Sequence, residues 1–296
     1  MSATYRLQKE QRGFAFDRTT PPVLEIDSGD TVTFETGDAA YERLSKGESV
    51  EAIGLENFNA VTGPVVVRGA QPGDALRIEI LDVQVTRAWS VWLPKFGGLG
   101  AHSDDTKVKQ ISLRDGRAYI TDSLSVPIRT MIGCIGVAPA EGKGSTFMPA
   151  YPFGGNMDLR EMEAGTTLFL PVQVTGGLLS MGDLHAAMGV GEPTWVSLEA
   201  SGSATLRISL EKHKPLKFPR LRVGDSTYCL GMADTLEKAY QIALDEAYDL
   251  LVNEWGLDPF DAYAYASARV NMRFGGPATA IVIAVVPDVP TTSATL

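Results

Sequence analysis

The chain has 296 residues, 44% of them apolar, which is enough for a large core in one domain or in two of ordinary size. Lys and Arg number 26 against 36 Asp and Glu, for a formal charge of −10; this removes the attraction that non-specific nucleic-acid binding depends on, and no basic stripe offsets it. No apolar run approaches the ~20 residues of a membrane span. The opening MSATYRLQKEQRGFAF lacks the apolar stretch of a signal peptide, and two cysteines, Cys134 and Cys229, make no disulfide framework. The expectation is a soluble, cytoplasmic protein with neither a nucleic-acid nor a membrane partner.

Through about residue 220 the pattern is one of short strands between turns. Residues 31–36 (TVTFET) follow the turn Ser28-Gly29-Asp30. Residues 75–85 follow Gln71-Pro72-Gly73-Asp74, with apolar Leu76, Ile78 and Ile80 alternating before the phase shifts to Leu81, Val83 and Val85. Alternation predicts a strand with one buried face, and the slip predicts a bulge or a change of sheet. A glycine turn followed by alternation recurs at 165–170, and 194–199 and 205–210 read as two further strands. The irregular spacing excludes a solenoid and suits a β-sandwich or distorted barrel. The basic, proline-containing stretch 213–222 (HKPLKFPRLR) is the best candidate boundary.

After residue 230 the texture becomes helical. Asp234-Thr235-Leu236-Glu237 resembles a capping box with Asp234 as N-cap, followed by Leu236, Tyr240, Ala243, Ala247, Leu250 and Leu251 at helical spacing, with Gly256 as the stop. Asp258-Pro259 opens a second helix to about Met272. Gly275-Gly276-Pro277 breaks the chain, residues 278–286 (ATAIVIAVV) read as a buried strand, and the tail after Pro287 reads as loose. The predicted fold is α+β but mainly β: sandwich or distorted-barrel sheets with a C-terminal helix-helix-strand part. Residues 1–220 would carry the site, and 221–296 would pack on them.

The chain has three histidines. His102, in a polar glycine-bearing loop, and His213, in the basic stretch, read as exposed. His185 lies in the apolar, small-residue segment LLSMGDLHAAMGVGE with Asp183 and Glu192. On a strand, side chains two apart leave by one face, so Asp183 and His185 can serve one ion or satisfy each other. Glycines 182, 189 and 191 permit turns that return Glu192 toward them. Asn156 and Asp158, after Gly154-Gly155, are again two apart; they suit a cation, a substrate amide or an Asx-turn. Gly97-Gly98-Leu99-Gly100 has no helix start behind it, which argues against phosphate binding. Cys134, in an apolar run, reads as a buried structural thiol.

The words MIGCIGVAPA (131–140), GGNMD (154–158), LFLPV (168–172) and GDLHAAMGVGE (182–192) resemble the acetamidase/formamidase family, as do TGPVVVRGAQPGDALRIEI (62–80) and GMADTLEKA (231–239). The resemblance covers most of the chain. It implies a β-rich fold with an α/β C-terminal part, a homo-oligomer, and hydrolysis of small amides such as formamide or acetamide to acid and ammonia. It also implies a divalent metal, zinc or calcium, of which the mixed N/O donor set favours zinc. Carried over by position, Asp38, Asp183 and His185 are the expected metal ligands. Glu192 is the expected general base, while Asn156 and Asp158 orient the substrate or complete the metal shell. A Cys134 nucleophile is the weaker mechanistic option. Where the family has His before GGNMD this chain has Phe153, and Val190 replaces a polar residue in the family's G-D-G-E. Both changes favour a bulkier acyl group. They also motivate the alternative, a non-catalytic small-molecule binding protein or inactive homologue on the same scaffold.

Overall fold

The computed structural model describes residues 2–289; the loose tail expected after Pro287 lies, from residue 290, outside the described residues. Among the described residues the protein is mainly β. Nineteen strands join one hydrogen-bonded sheet, and a two-stranded pair stands apart. Nearly all pairings are antiparallel; Thr4–Leu7 with Asp30–Thr36 and Leu24–Ile26 with Val61–Val67 are parallel. No helix among the described residues is long and apolar enough to cross a membrane.

The Ala75–Trp92 strand, 18 residues long, is the backbone of the sheet. It pairs along its length with Leu198–Glu211 and on its other edge with Thr167–Pro171 and Lys107–Arg114. The phase slip has its physical cause here. Thr205 faces Asp82 but Leu206 faces Ile80, so Leu81 is the extra residue of a bulge and is turned outward. A second register shift lies between Ser201 and Gly202. Such bulges bend long strands, which lets one sheet curl around a core containing Phe34, Leu76, Ile78, Ile132, Leu168 and Leu206.

Several local expectations are corrected. The two strands expected at 194–199 and 205–210 are one, Leu198–Glu211, and residues 194–197 form its approach. Two helices, Ala39–Ser45 and Val50–Ile53, interrupt the N-terminal strands; both are too short for periodicity to reveal. The long C-terminal helix spans Leu236–Asp249, and its N-cap is Thr235, whose hydroxyl accepts from the Lys238 N–H at 3.3 Å; Asp234 instead pairs with the Lys238 ammonium. The helix continues as a π-helical turn, Leu250–Glu254, before Gly256. Asp258 caps the next helix as expected, its side chain accepting from Phe260, but that helix ends at Arg269. Asn271–Phe274 is a strand paired with Ala280–Pro287, so the order is helix, helix, strand, strand.

Candidate functional site

The Leu179–Ala187 strand lies between Met131–Gly136, Leu198–Glu211 and Val61–Val67, and carries Asp183 and His185. Its register sets His185 beside Glu199. Asp158 follows the Gly154–Asn156 strand and is held by its own N–H and that of Met157, both donating to the Gly133 carbonyl at 3.2 and 3.1 Å. Glu192 arrives from a turn in which its N–H donates to Gly189 at 3.1 Å, as Gly189 and Gly191 suggest.

These groups converge. His185 Nε2 lies 3.5 Å from Asp183 Oδ1, 3.5 Å from Glu199 Oε2 and 3.8 Å from Asp158 Oδ1. Potential ligand atoms of Asp158, Asp183 and His185 lie within 4.8 Å of one another, and so do those of His185, Glu192 and Glu199. All five residues are buried, His185 at 1% exposure. Glycines make this crowding possible. A Cβ at Gly133 would stand 2.6 Å from both Asp158 Oδ1 and Asp183 Oδ2, and one at Gly276 would run into Asp158.

The carboxylates repel one another and are shielded from bulk solvent. Burial first, then neighbouring charges, pushes Asp158 and Glu199 up to about 7 and Glu192 well above the usual carboxylate range. Burial opposes the imidazolium of His185, but Glu199, Asp183 and Asp158 outweigh it and hold its pKa well above the ordinary value. The backbone is strained at the same place. Asp158, Asp183 and Glu192 have φ of 45°, 58° and 39°, a left-handed region that L side chains avoid at about 1–2 kcal/mol each.

The donor set fits a divalent cation. Asp158 Oδ1, Asp183 Oδ1 and Asn156 Oδ1 are buried without a hydrogen-bond partner, which is costly unless something else satisfies them. Ligand bonds of about 2.0–2.2 Å imply donor atoms roughly 3.3 Å apart in a tetrahedron, close to the separations around His185 Nε2.

The cluster floors a cavity roofed by apolar side chains, including Phe58, Phe96, Phe147 and Trp195. Its volume is about 30 Å³, counted as the space the centre of a water molecule can sweep. One water needs roughly 10–15 Å³ by that measure, so the room suits a guest of a few heavy atoms.

The sequence-expected residues divide as follows. Asp158, Asp183, His185 and Glu192 meet, and Asn156 lines the same cavity with its Nδ2 fixed by the Phe147 carbonyl at 3.0 Å. Asp38 lies at the N-terminus of the Ala39–Ser45 helix; it lines a polar cleft with Arg87 and Glu42, and its Oδ2 is buried without a hydrogen-bond partner. Burial and the nearby Glu199 and Asp183 push its carboxyl well up, yet it belongs to neither ligand cluster. Sequence reasoning missed Glu199, whose place beside His185 comes only from sheet register. It also missed Asn59, whose Nδ2 donates to Asp183 at 3.1 Å, and Tyr41 in the cavity wall. Cys134 is fully buried, outside the cavity lining, and burial pushes its thiol well up, which removes the nucleophile option. Phe153 stacks on Tyr151 at 4.6 Å in the core and Val190 is exposed; neither lines the cavity, so neither enlarges or depolarises it.

Comparison with known proteins agrees with this architecture. The model of the acetamidase/formamidase family matches residues 4–143 and 140–295. An acetamidase structure from Bacillus halodurans is 31% identical with a TM-score of 0.90, over 95% of this chain and 97% of that one. A predicted acetamidase/formamidase from Thermoanaerobacter tengcongensis is 29% identical with a TM-score of 0.91, over 97% and 96%. A putative formamidase of Schizosaccharomyces pombe is 28% identical over 255 residues, 65% of this chain and 62% of its own length. The chain spans rather less than two thirds of the length of the curated relatives it matches. On the family match and the near-complete structural overlap, the chain belongs to the acetamidase/formamidase family.

Proposed function

We propose that the protein hydrolyses the C–N bond of a small linear amide, of formamide or acetamide size, to a carboxylic acid and ammonia. The observation that carries this reading is the convergence of one imidazole and four carboxyl groups, two of their oxygens unpartnered, on a cavity with room for only a few heavy atoms. Relatives that carry the names acetamidase and formamidase point the same way.

His185, Asp183 and Asp158 would hold a divalent metal, for which the imidazole favours zinc over calcium. Bound there, the metal supplies Lewis-acid polarisation of the amide carbonyl and lowers the pKa of water. Asn156 orients the substrate. Its Nδ2 is committed to Phe147, so Oδ1 is left to accept an N–H, a contact that an amide offers and an ester does not. Glu192, whose carboxylate is made basic by burial, takes a proton as water adds to the carbonyl carbon. It returns that proton to the nitrogen as the C–N bond breaks. Glu199, as near to His185 Nε2 as Asp183 is, would offer a further donor, and Asn59 acts one step back by holding Asp183. The Tyr41 phenol is held protonated by burial and by the surrounding carboxylates, so it remains a donor at the wall.

The same reading takes residues 221–296 as a unit packed on the first 220. The apolar cluster of Cys229, Ala243, Leu251, Ala262 and Val286, all from the later segment, supports a unit with its own small core, while Leu230, Ile281 and Ile283 of that segment pack into the main core. A purely binding role rested on Phe153 and Val190, and both lie away from the cavity. The test is ammonia release from formamide and acetamide before and after chelation: turnover that chelator abolishes and zinc restores supports the proposal. Release from neither amide at any metal loading would refute it.

A further inference from the structure

The cavity has two chemically opposite sides. Its floor is the ionisable cluster; its roof is an arc of aromatic rings. Tyr41 meets Phe58 edge-on at 5.5 Å, Phe58 lies 6.2 Å from Phe147, Phe96 stacks on Phe147 at 6.1 Å, and Trp195 meets Phe96 edge-on at 5.5 Å. Tyr41 and Phe58 are buried and Trp195, at 40% exposure, forms the rim. The arc is therefore buried at Tyr41 and Phe58, half-buried at Phe147 and Phe96, and ends at solvent with Trp195.

Two loops build this rim, and Gly97-Gly98 join them. A Cβ at Gly97 would run into the Thr194 carbonyl, and one at Gly98 into the Pro193 carbonyl. Gly97 and Gly98 thus let the Phe96 loop lie backbone against backbone on the loop bearing Glu192 and Trp195. Trp195 has φ of 62°, and its N–H donates to the Glu192 carbonyl at 2.9 Å. A guest pressing on the Trp195 ring therefore presses on the turn that carries Glu192.

We infer that Phe96 and Trp195 form the wall against which the substrate's acyl group packs and set the length of chain the site accepts. This rests on the amide-hydrolase reading above. An amide whose C–N end sits among the floor carboxyl groups has its acyl carbons directed to the apolar side of the cavity. Formyl and acetyl groups fit beneath the rings; each added methylene must displace the Trp195 rim. A methylene in an apolar pocket is worth about 10- to 200-fold in discrimination. Because Trp195 and Glu192 share a turn, a chain that displaces the ring also misplaces the base, so the discrimination falls on kcat as well as KM.

The experiment measures kcat and KM for formamide, acetamide, propionamide and butyramide in the wild type and in Trp195→Ala, Phe96→Ala and Trp195→Phe. In parallel, thermal stabilisation by formate, acetate, propionate and butyrate is measured on the same proteins. The expected result is a wild-type preference that falls beyond acetamide. Either alanine substitution raises the butyramide-to-acetamide ratio of kcat/KM at least tenfold, and Trp195→Phe, which keeps an aromatic wall, holds that ratio near the wild-type value. Ratios within twofold of wild type in both alanine variants overturn the inference, even if their overall rates fall. Absence of wild-type turnover on every amide would refute the hydrolase reading alone. In that case a shift of stabilisation toward longer carboxylates in the alanine variants still supports the wall. An unchanged length preference, or no stabilisation by any of the acids, overturns it.

Discussion

Substituting Gly133 by alanine probes how the acidic cluster is held. The residue lies within the Met131–Gly136 strand and its φ is not in the left-handed region, so alanine suits its backbone. The obstacle is space. The new methyl would stand 2.6 Å from Asp158 Oδ1, 2.6 Å from Asp183 Oδ2 and 2.9 Å from the Asp183 carbonyl, where ordinary contact begins at 3.4 Å. Each carboxyl must retreat by about 0.8 Å within a packed interior. Overpacking of this kind costs about 1–3 kcal/mol of stability. A displacement near 1 Å in a catalytic constellation costs about a hundredfold in rate. Gly133→Ala is therefore expected to fold, to unfold at a lower urea midpoint, and to lose bound metal and at least 99% of its amide turnover. Gly13→Ala is the control, since its Cβ meets nothing within 4 Å, and it should match wild type. Metal content by elemental analysis and ammonia release read the outcome. Wild-type metal stoichiometry and turnover in Gly133→Ala would refute the claim that this glycine makes room for the two acids.

Three further outcomes follow from the geometry. Glu192→Gln should keep its metal and lose about 10²- to 10⁴-fold in turnover, because the amide cannot take the proton; full activity would remove Glu192 as base. Asp74 is buried at 3% exposure, and although burial pushes its carboxyl up, Lys212 at 2.7 Å and the backbone N–H groups of His213 and Gln71 hold it down at about 2. Its stabilisation is therefore complete above about pH 4 and is lost as pH falls through about 2. Asp74→Asn should destabilise by about 1 kcal/mol at pH 7 after allowance for solvent screening at the half-exposed Lys212, with the difference vanishing near pH 2 in urea titrations. Arg220→Met leaves Glu246 buried without its 3.3 Å partner and should cost about 3–5 kcal/mol in urea unfolding; an unchanged midpoint would show that the buried pair does not stabilise the fold.

What could be read from the sequence followed local periodicity. The slip at Leu81 showed as a break in alternation because a bulge moves every later side chain to the opposite face. The spacing of Asp183 and His185 placed both on one strand, although the left-handed φ of Asp183 gave no local sign. Glu192 was within reach because glycines flank its turn. Glu199 was not, since only its register opposite His185 brings it to the site, and register is a long-range property of the sheet. Gly133 was likewise hidden, because its purpose is the space it leaves for Asp158 and Asp183, both far along the chain. Asp38, placed by a positional match, lies near enough to Glu199 and Asp183 to feel their charge, with its Oδ2 buried and unpartnered, and falls outside the two groups of clustered ligand atoms. The one-residue displacement of the helix cap, from Asp234 to Thr235, reflects two adjacent residues that are both good caps, with Lys238 drawing the aspartate away.

The most direct test of the account is a crystal of the zinc-loaded protein measured across the zinc absorption edge. The expected result is one strong anomalous peak enclosed by His185, Asp183 and Asp158, with Glu192 facing the open side of the cavity. A peak held by other residues, or none at this cluster in zinc-saturated crystals, would contradict it.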